Sequence, residues 1–170
     1  MTNQRVVVWL TENNWAPTVD AAAALPGTHD IVLLHVIDTQ VGEAAHGAFG
    51  GLLGRGSRQR NPGDILTQMA RDASSGVLND AQRRLSTPAR LDSRAGRIER
   101  EVVAACEDAD LLICARDGNQ KRLGPHSLGH HTRFVIDHAP CAVLLIWPDT
   151  VPDLDSIPPP PQPGTPHPHR

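Results

Sequence analysis

Aromatic residues are scarce in this 170-residue chain: three Trp, two Phe and no Tyr, 3% of the total. A core must therefore be built from Ala, Val, Ile and Leu. Lysine occurs once, at Lys121, and Arg122 follows it. A Walker-type phosphate loop needs Gly-Lys-Ser/Thr, so that chemistry is excluded. A basic excess is missing too, with a formal charge of −3 and a pI near 6.3. A nucleic-acid partner would call for a basic stripe; Arg55, Arg58 and Arg60 form only a small cluster that reads as solvated loop. No apolar stretch approaches the roughly 18 residues of a membrane span. The run opened by Arg5 is too short for the apolar region of a secretory signal. Three cysteines, Cys106, Cys114 and Cys141, sit among apolar neighbours. An odd number in that setting reads as buried free thiols, and the expected location is a reducing cytoplasm.

Short apolar runs are plentiful. Val6 to Leu10, Ile31 to Ile37, Leu111 to Cys114 and Ala142 to Trp147 are rich in β-branched residues and lack polar alternation. Strands buried on both faces of a parallel sheet read this way. Ala89 to Arg94 is a weaker strand candidate. Helical patterns fill the gaps. Pro17 suits a first turn, and Val19 to Leu25 continues it until Pro26-Gly27. Pro62-Gly63-Asp64 opens a long pattern through Leu85, which Ser74, Ser75 and Gly76 weaken at its middle. Ile98, Val102, Val103 and Cys106 mark a third face. Phe134 and Val135, with Leu128 and Ala139 nearby, mark a fourth that Pro140 stops. The sum is β-α-β-α-β-α-β-α-β, which predicts a doubly wound α/β sandwich with right-handed crossovers.

Two stretches interrupt this order. Thr39 to Asn61 carries six glycines, Gly42, Gly47, Gly50, Gly51, Gly54 and Gly56; it reads as a mobile excursion over a ligand crevice at the end of the second strand. Nine of the fifteen prolines lie between Pro148 and Pro168. The expected division is a domain over residues 1–148 and a proline-rich, disordered or polyproline-like tail over 149–170.

The sequence resembles the universal stress protein family from about Arg5 to Trp147. The resemblance rests on Arg5-Val6-Val7-Val8, on Ile31-Val32-Leu33-Leu34-His35-Val36, and on Ala109-Asp110-Leu111-Leu112-Ile113 followed by a glycine-bearing loop. Leu128-Gly129 and His138-Ala139-Pro140-Cys141-Ala142-Val143 then follow at matching separations. It implies a five-stranded parallel sheet in the order 3-2-1-4-5, the adenine-nucleotide alpha-hydrolase-like fold, with a crevice where the order reverses. In nucleotide-binding members ATP sits there, over Gly-x2-Gly-x9-Gly-Ser/Thr after strand 4. Glycines admit phosphate close to the backbone, and a helix N-terminus favours the anion.

This chain keeps that motif in part. Ala115 stands at the first glycine, Gly118 at the second and Gly129 at the third, with ten intervening residues instead of nine. His130 replaces the Ser/Thr. Thr11-Glu12-Asn13 stands where the family has Asp-Gly-Ser, so Thr11 replaces the acidic residue that contacts nucleotide. Val36 matches the position that meets adenine through its backbone. The candidate site is thus Thr11, Val36, Ala115, Gly118, Gly129, His130 and His131, with ATP or another adenine nucleotide as ligand. Two readings stay open. In one, the loop from Asp117 to Leu128 cradles phosphate, and Arg116, Lys121, Arg122, His130 and His131 supply positive partners. In the other, the glycines serve turns, Glu12 repels phosphate, and the chain is a partner-binding scaffold with a vestigial crevice.

Other chemistry is poorly served. His126, His130, His131 and His138 invite a metal. His126 and His130 would share a helix face only if the helix ran back past Pro125 and Gly129, and a site needs three or four convergent ligands, so none is expected. No Gly-x-Ser-x-Gly elbow surrounds Ser127; Cys114 and Cys141 read as structural thiols, and Asp110 as a backbone-ordering residue. The expected activity is binding and assembly, with at most weak ATP hydrolysis. The resemblance implies a homodimer formed through the last strand, Ala142, Val143, Leu144, Leu145 and Ile146, an apolar edge that would otherwise need protection.

Overall fold

The computed structural model describes residues 3–39 and 62–160. The glycine-rich stretch from Thr39 onward and the arginine cluster within it fall almost wholly outside the described residues, as do residues 161–170. Five strands, β1 (Gln4–Leu10), β2 (His29–Asp38), β3 (Arg90–Gly96), β4 (Leu111–Ala115) and β5 (Ala142–Ile146), form one sheet in the order β3-β2-β1-β4-β5. All pairs are parallel, in registers that set Val6 opposite both Ile31 and Leu111.

Strand alternation sends successive side chains to opposite faces, and the sequence fills both. Val6, Val8, Leu10, Ile31, Leu33 and Ile113 face one side, where α1 (Trp15–Ala23) and α2 (Pro62–Leu85) cover them with Val19, Ala22, Leu78, Ala81 and Leu85. Val7, Trp9, Val32, Leu34, Leu112 and Cys114 face the other. There α3 (Ile98–Ala105) and α4 (His130–His138) bring Val102, Ala105 and Val135. The fourth helix differs in detail from its sequence reading: Val135 is fully buried, whereas Phe134 lies at the surface layer and stacks on His138 with ring centres 4.0 Å apart.

The strand read as weak is the third one, and its edges are Arg90–Gly96. It is an edge strand with Arg90, Asp92 and Arg94 along it, so its apolar signal is diluted by the charges that protect an open edge. Helix α2 runs unbroken through Ser74 and Gly76. Ser74 is fully buried and spends its hydroxyl on a tertiary contact, 3.0 Å from His35 Nδ1 and 2.8 Å from Ser93 Oγ. That bond ties the helix to β2 and β3, and packing outweighs the local propensity cost.

Two further ties hold the sheet and the loop that follows it. The Asp110 carboxylate accepts the Arg5 N–H at 2.7 Å, and the Asp110 N–H donates to the Arg5 carbonyl at 2.9 Å, fixing β4 against β1 at their entry. After β5, residues 149–160 include a single 3₁₀ turn, Leu154–Ser156, whose Ser156 Oγ accepts the Leu123 N–H at 3.0 Å. This stretch of the proline-rich tail therefore holds the loop that follows β4.

Candidate functional site

The sheet order reverses between β1 and β4, so the chain leaves these adjacent strands toward opposite faces and opens a crevice at their carboxyl ends. Its volume is about 380 Å³, at the small end of ligand pockets. From β1 and its turn come Trp9, Thr11, Glu12 and Asn13; from β2, His35, Val36 and Asp38. Asp117 enters from the loop after β4, Ala70 from α2, Ile98 from α3 and His131 from α4. A second hollow, of about 490 Å³, runs beside Asp64, Ile65, Gln68 and Met69. Among the described residues one helix lines it, so no groups converge there.

Of the residues expected from sequence, Thr11, Val36 and His131 line the crevice together. Ala115, Gly118, Gly129 and His130 are not among its lining residues. Ala115 is buried in β4, paired with Ile146. His130 is exposed, its ring centre 3.7 Å from that of His131.

The loop after β4 closes on itself. The Gly118 N–H donates to the Ser127 carbonyl at 3.0 Å, and the Asn119 N–H to the His126 carbonyl at 2.7 Å. A Cβ at Gly118 would lie 2.4 Å from the His126 oxygen and 2.7 Å from the Ser127 carbonyl carbon. Glycine is needed here because the loop's own backbone comes so near. Gly129, before the first turn of α4, donates its N–H to Asp117 Oδ1 at 2.7 Å, and a Cβ there would meet Asp117 Oδ2 at 2.7 Å. The carboxylate lies flat against the helix N-terminus, where the macrodipole favours a negative charge. Arg116 is engaged elsewhere: its guanidinium stacks 4.6 Å from the Trp147 ring centre and donates to the buried Ser127 hydroxyl. No Lys or Arg lines the crevice among the described residues.

Two histidines face it from opposite walls, each anchored by one nitrogen. His131 Nδ1 lies 2.9 Å from Glu99 Oε2, and Arg97 donates to the other oxygen at 2.7 and 3.1 Å. Glu99 is nearly buried. A hydrogen bond from its own backbone N–H holds its carboxyl below the ordinary range against the opposing effect of burial, and Arg97 and His131 add to this. His35 is 7% exposed, and burial pushes its pKa down although the nearby Glu12 pulls the other way. Sequence reasoning passed over His35, Asp38, Glu99 and the bonding role of Asp117. The visible clue was an Asp beside Gly118, one loop-length from a helix whose first residues offer no capping side chain.

The three thiols are free, and Cys106 and Cys114 are buried. Burial pushes both up to about 12, so neither is a thiolate near neutrality. No group of three or more His, Cys, Asp or Glu is placed to hold a metal among the described residues. No helix among them is long and apolar enough to cross a membrane.

A family model, described as the Universal stress protein family, matches residues 3–146. The chain belongs to the universal stress protein family. Its fold matches that of solved universal stress proteins. One, solved in complex with cAMP, is 16% identical with a TM-score of 0.58, over 88% of this chain and 100% of that one. The universal stress protein UspA from Lactobacillus plantarum is 18% identical with a TM-score of 0.54, over 86% and 99%. A hypothetical protein, MJ0577, is 16% identical with a TM-score of 0.61, over 86% and 97%. At these identities the likeness is one of fold. No curated protein matches the sequence.

Proposed function

We propose that this universal stress protein is a binding module without turnover, and that its crevice holds an adenine-containing ligand. The observation that carries the reading is the convergence of Thr11, Val36 and His131 on one crevice at the reversal of the sheet, where nucleotide-binding members hold adenine. The relative solved with cAMP supports that ligand class. Ser127 spends its hydroxyl on the Gly124 carbonyl at 2.7 Å and accepts from Arg116, which fits a structural role for that residue in a binding module. Free thiols fit a reducing compartment such as the cytoplasm.

Calorimetric titration and melting shifts with adenosine, cAMP, AMP, ADP and ATP test the proposal. A bound ligand at about a hundred times its Kd adds about 2.7 kcal/mol to the stability of the native state. Silence from the whole panel at millimolar concentration would leave the second reading, a partner-binding scaffold, which the self-closed loop around Gly118 favours.

The assembly proposed is a homodimer through β5, which among the described residues pairs with β4 alone. Leu144 is 37% exposed on this edge, whereas Leu145 packs against the core. Leu144→Lys is therefore the cleaner test. It is expected to shift the sedimentation profile from dimer toward monomer with little loss of fold, and an unchanged profile would count against the interface.

A further inference from the structure

Resting on the adenine reading, we infer that Glu99 fixes His131 with its hydrogen on Nδ1 and leaves Nε2 as the crevice's acceptor for an O–H or N–H of the nucleoside. His131 lines the crevice, and its Nδ1 is the nitrogen that meets Glu99 Oε2, at 2.9 Å. Nε2 meets no protein partner among the described residues. The tie is held from both sides. Glu99 stands in the first turn of α3 with its side chain 10% exposed, and His131 in the first turn of α4 with its side chain 24% exposed.

The chemistry of the pair decides where the hydrogen lies. The Glu99 carboxyl is held below the ordinary range chiefly by its own backbone N–H. Near neutrality it is therefore a carboxylate, which accepts hydrogen bonds and cannot donate. His131 Nδ1 must supply the hydrogen between them, and Nε2 of the neutral ring is then bare. Arg97 already balances the carboxylate, donating to Oε1 from Nε at 3.1 Å and from Nη2 at 2.7 Å. Glu99 is thus paired without calling for a second cation. A buried carboxylate behind a histidine fixes both its tautomer and its orientation.

His35, on the opposite wall, is not fixed in this way. Its partner at 3.0 Å is the Ser74 hydroxyl, which can donate to Nδ1 or accept from it. Of the two lining histidines, His131 is the one whose polarity the fold sets. An adenosine unit offers its 2′- and 3′-hydroxyls and its 6-amino group as donors, and any of them suits a bare imidazole nitrogen.

Long-range proton–nitrogen NMR spectra of the full chain, read at the alkaline end of a pH series, test the tautomer directly. Wild type is expected to carry the His131 hydrogen on Nδ1. In Glu99→Gln, Arg97 keeps the amide oxygen on its own side and turns the NH2 toward His131, so the hydrogen should move to Nε2. Calorimetry then reads the ligand, with adenosine, 2′-deoxyadenosine, 3′-deoxyadenosine and purine riboside, which lacks the 6-amino group. The analogue without the donor should bind wild type about tenfold more weakly than adenosine, the worth of one hydrogen bond. That gap should close in His131→Ala, as a double-mutant cycle requires. Glu99→Gln separates the sources: an amino group cannot accept from Nε2–H and should lose its gap there too, whereas a hydroxyl can turn round and keep most of it. His131 is partly exposed, so its variant keeps the test standing should the nearly buried Glu99 position reject Gln. A wild-type hydrogen on Nε2, a folded Glu99→Gln protein that keeps it on Nδ1, or analogue gaps that are missing in wild type or unchanged in His131→Ala overturns the inference and leaves the adenine reading intact. Silence from all four ligands on wild type overturns both.

Discussion

Gly118→Ala is expected to destabilise the protein by about 3 kcal/mol, at the upper end of overpacking costs. For a domain of this size that corresponds to a fall in Tm of roughly 6–12 °C. The reason is the nature of the atoms the new methyl would meet. The His126 oxygen at 2.4 Å, the Ser127 carbonyl carbon at 2.7 Å and the Leu128 carbonyl carbon at 2.9 Å are all backbone. None can swing aside, so the closed loop must open, and the Gly118 and Asn119 hydrogen bonds open with it. Gly129→Ala is the internal control. The three atoms nearest its methyl all belong to the Asp117 carboxylate, which can rotate away at the cost of one charge-assisted bond, about 1.5–3 kcal/mol. Urea denaturation of both variants checks the ordering. A Gly118→Ala protein within about 0.5 kcal/mol of wild type, the range of a neutral surface change, would mean the loop does not close as described.

The sheet was legible because its strands are buried on both faces: Val6-Val7-Val8 and Ile31 to Leu34 can be nothing else at that length and composition. Order and handedness followed from alternation and from the family pattern. β3 was read faintly because its position at the edge calls for Arg90, Asp92 and Arg94, which erase the apolar run. The crevice was half legible. Thr11 and Val36 follow strands whose ends the sheet sets, and with His131 they line the crevice. The loop was different. Spacing shows where glycines lie but not what approaches them, and at Gly118 and Gly129 the neighbours are the chain's own carbonyls and the Asp117 carboxylate. His35 and Glu99 were missed for a related reason. A histidine in an apolar strand and a glutamate in a helix's first turn are ordinary until Ser74 and His131, 39 and 32 residues away, are brought to them.

His35 is expected to shape the molecule's response to mild acid. Burial is the main cause of its lowered pKa, with Glu12 opposing, so the native state binds its proton less readily than the unfolded chain, where the ordinary value is 6.5. Above pH 6.5 both states hold the ring neutral, and the stability associated with its burial is fully present. As pH falls below that value the unfolded chain takes up the proton first, and stability declines until the native pKa is reached. The limiting slope from this one group is about 1.4 kcal/mol per pH unit. Asp20, lowered mainly by its hydrogen bonds with Arg84, and Glu99 act in a separate window. Their contributions are lost only as pH falls below their ordinary values of 3.8 and 4.5. Stability measured by urea denaturation between pH 7 and 5 should therefore fall in the wild type and flatten in His35→Gln, which can still hydrogen-bond Ser74 but carries no titrating group. Parallel curves for the two proteins would assign the acid response elsewhere. The same proton would weigh on the crevice, because a charged His35 must hold its place between the neutral Ser74 hydroxyl and the Glu12 side. Mild acid should thus loosen α2 from β2 and β3 before the sheet itself is lost, and hydrogen exchange around Ser74 should quicken ahead of exchange in β1.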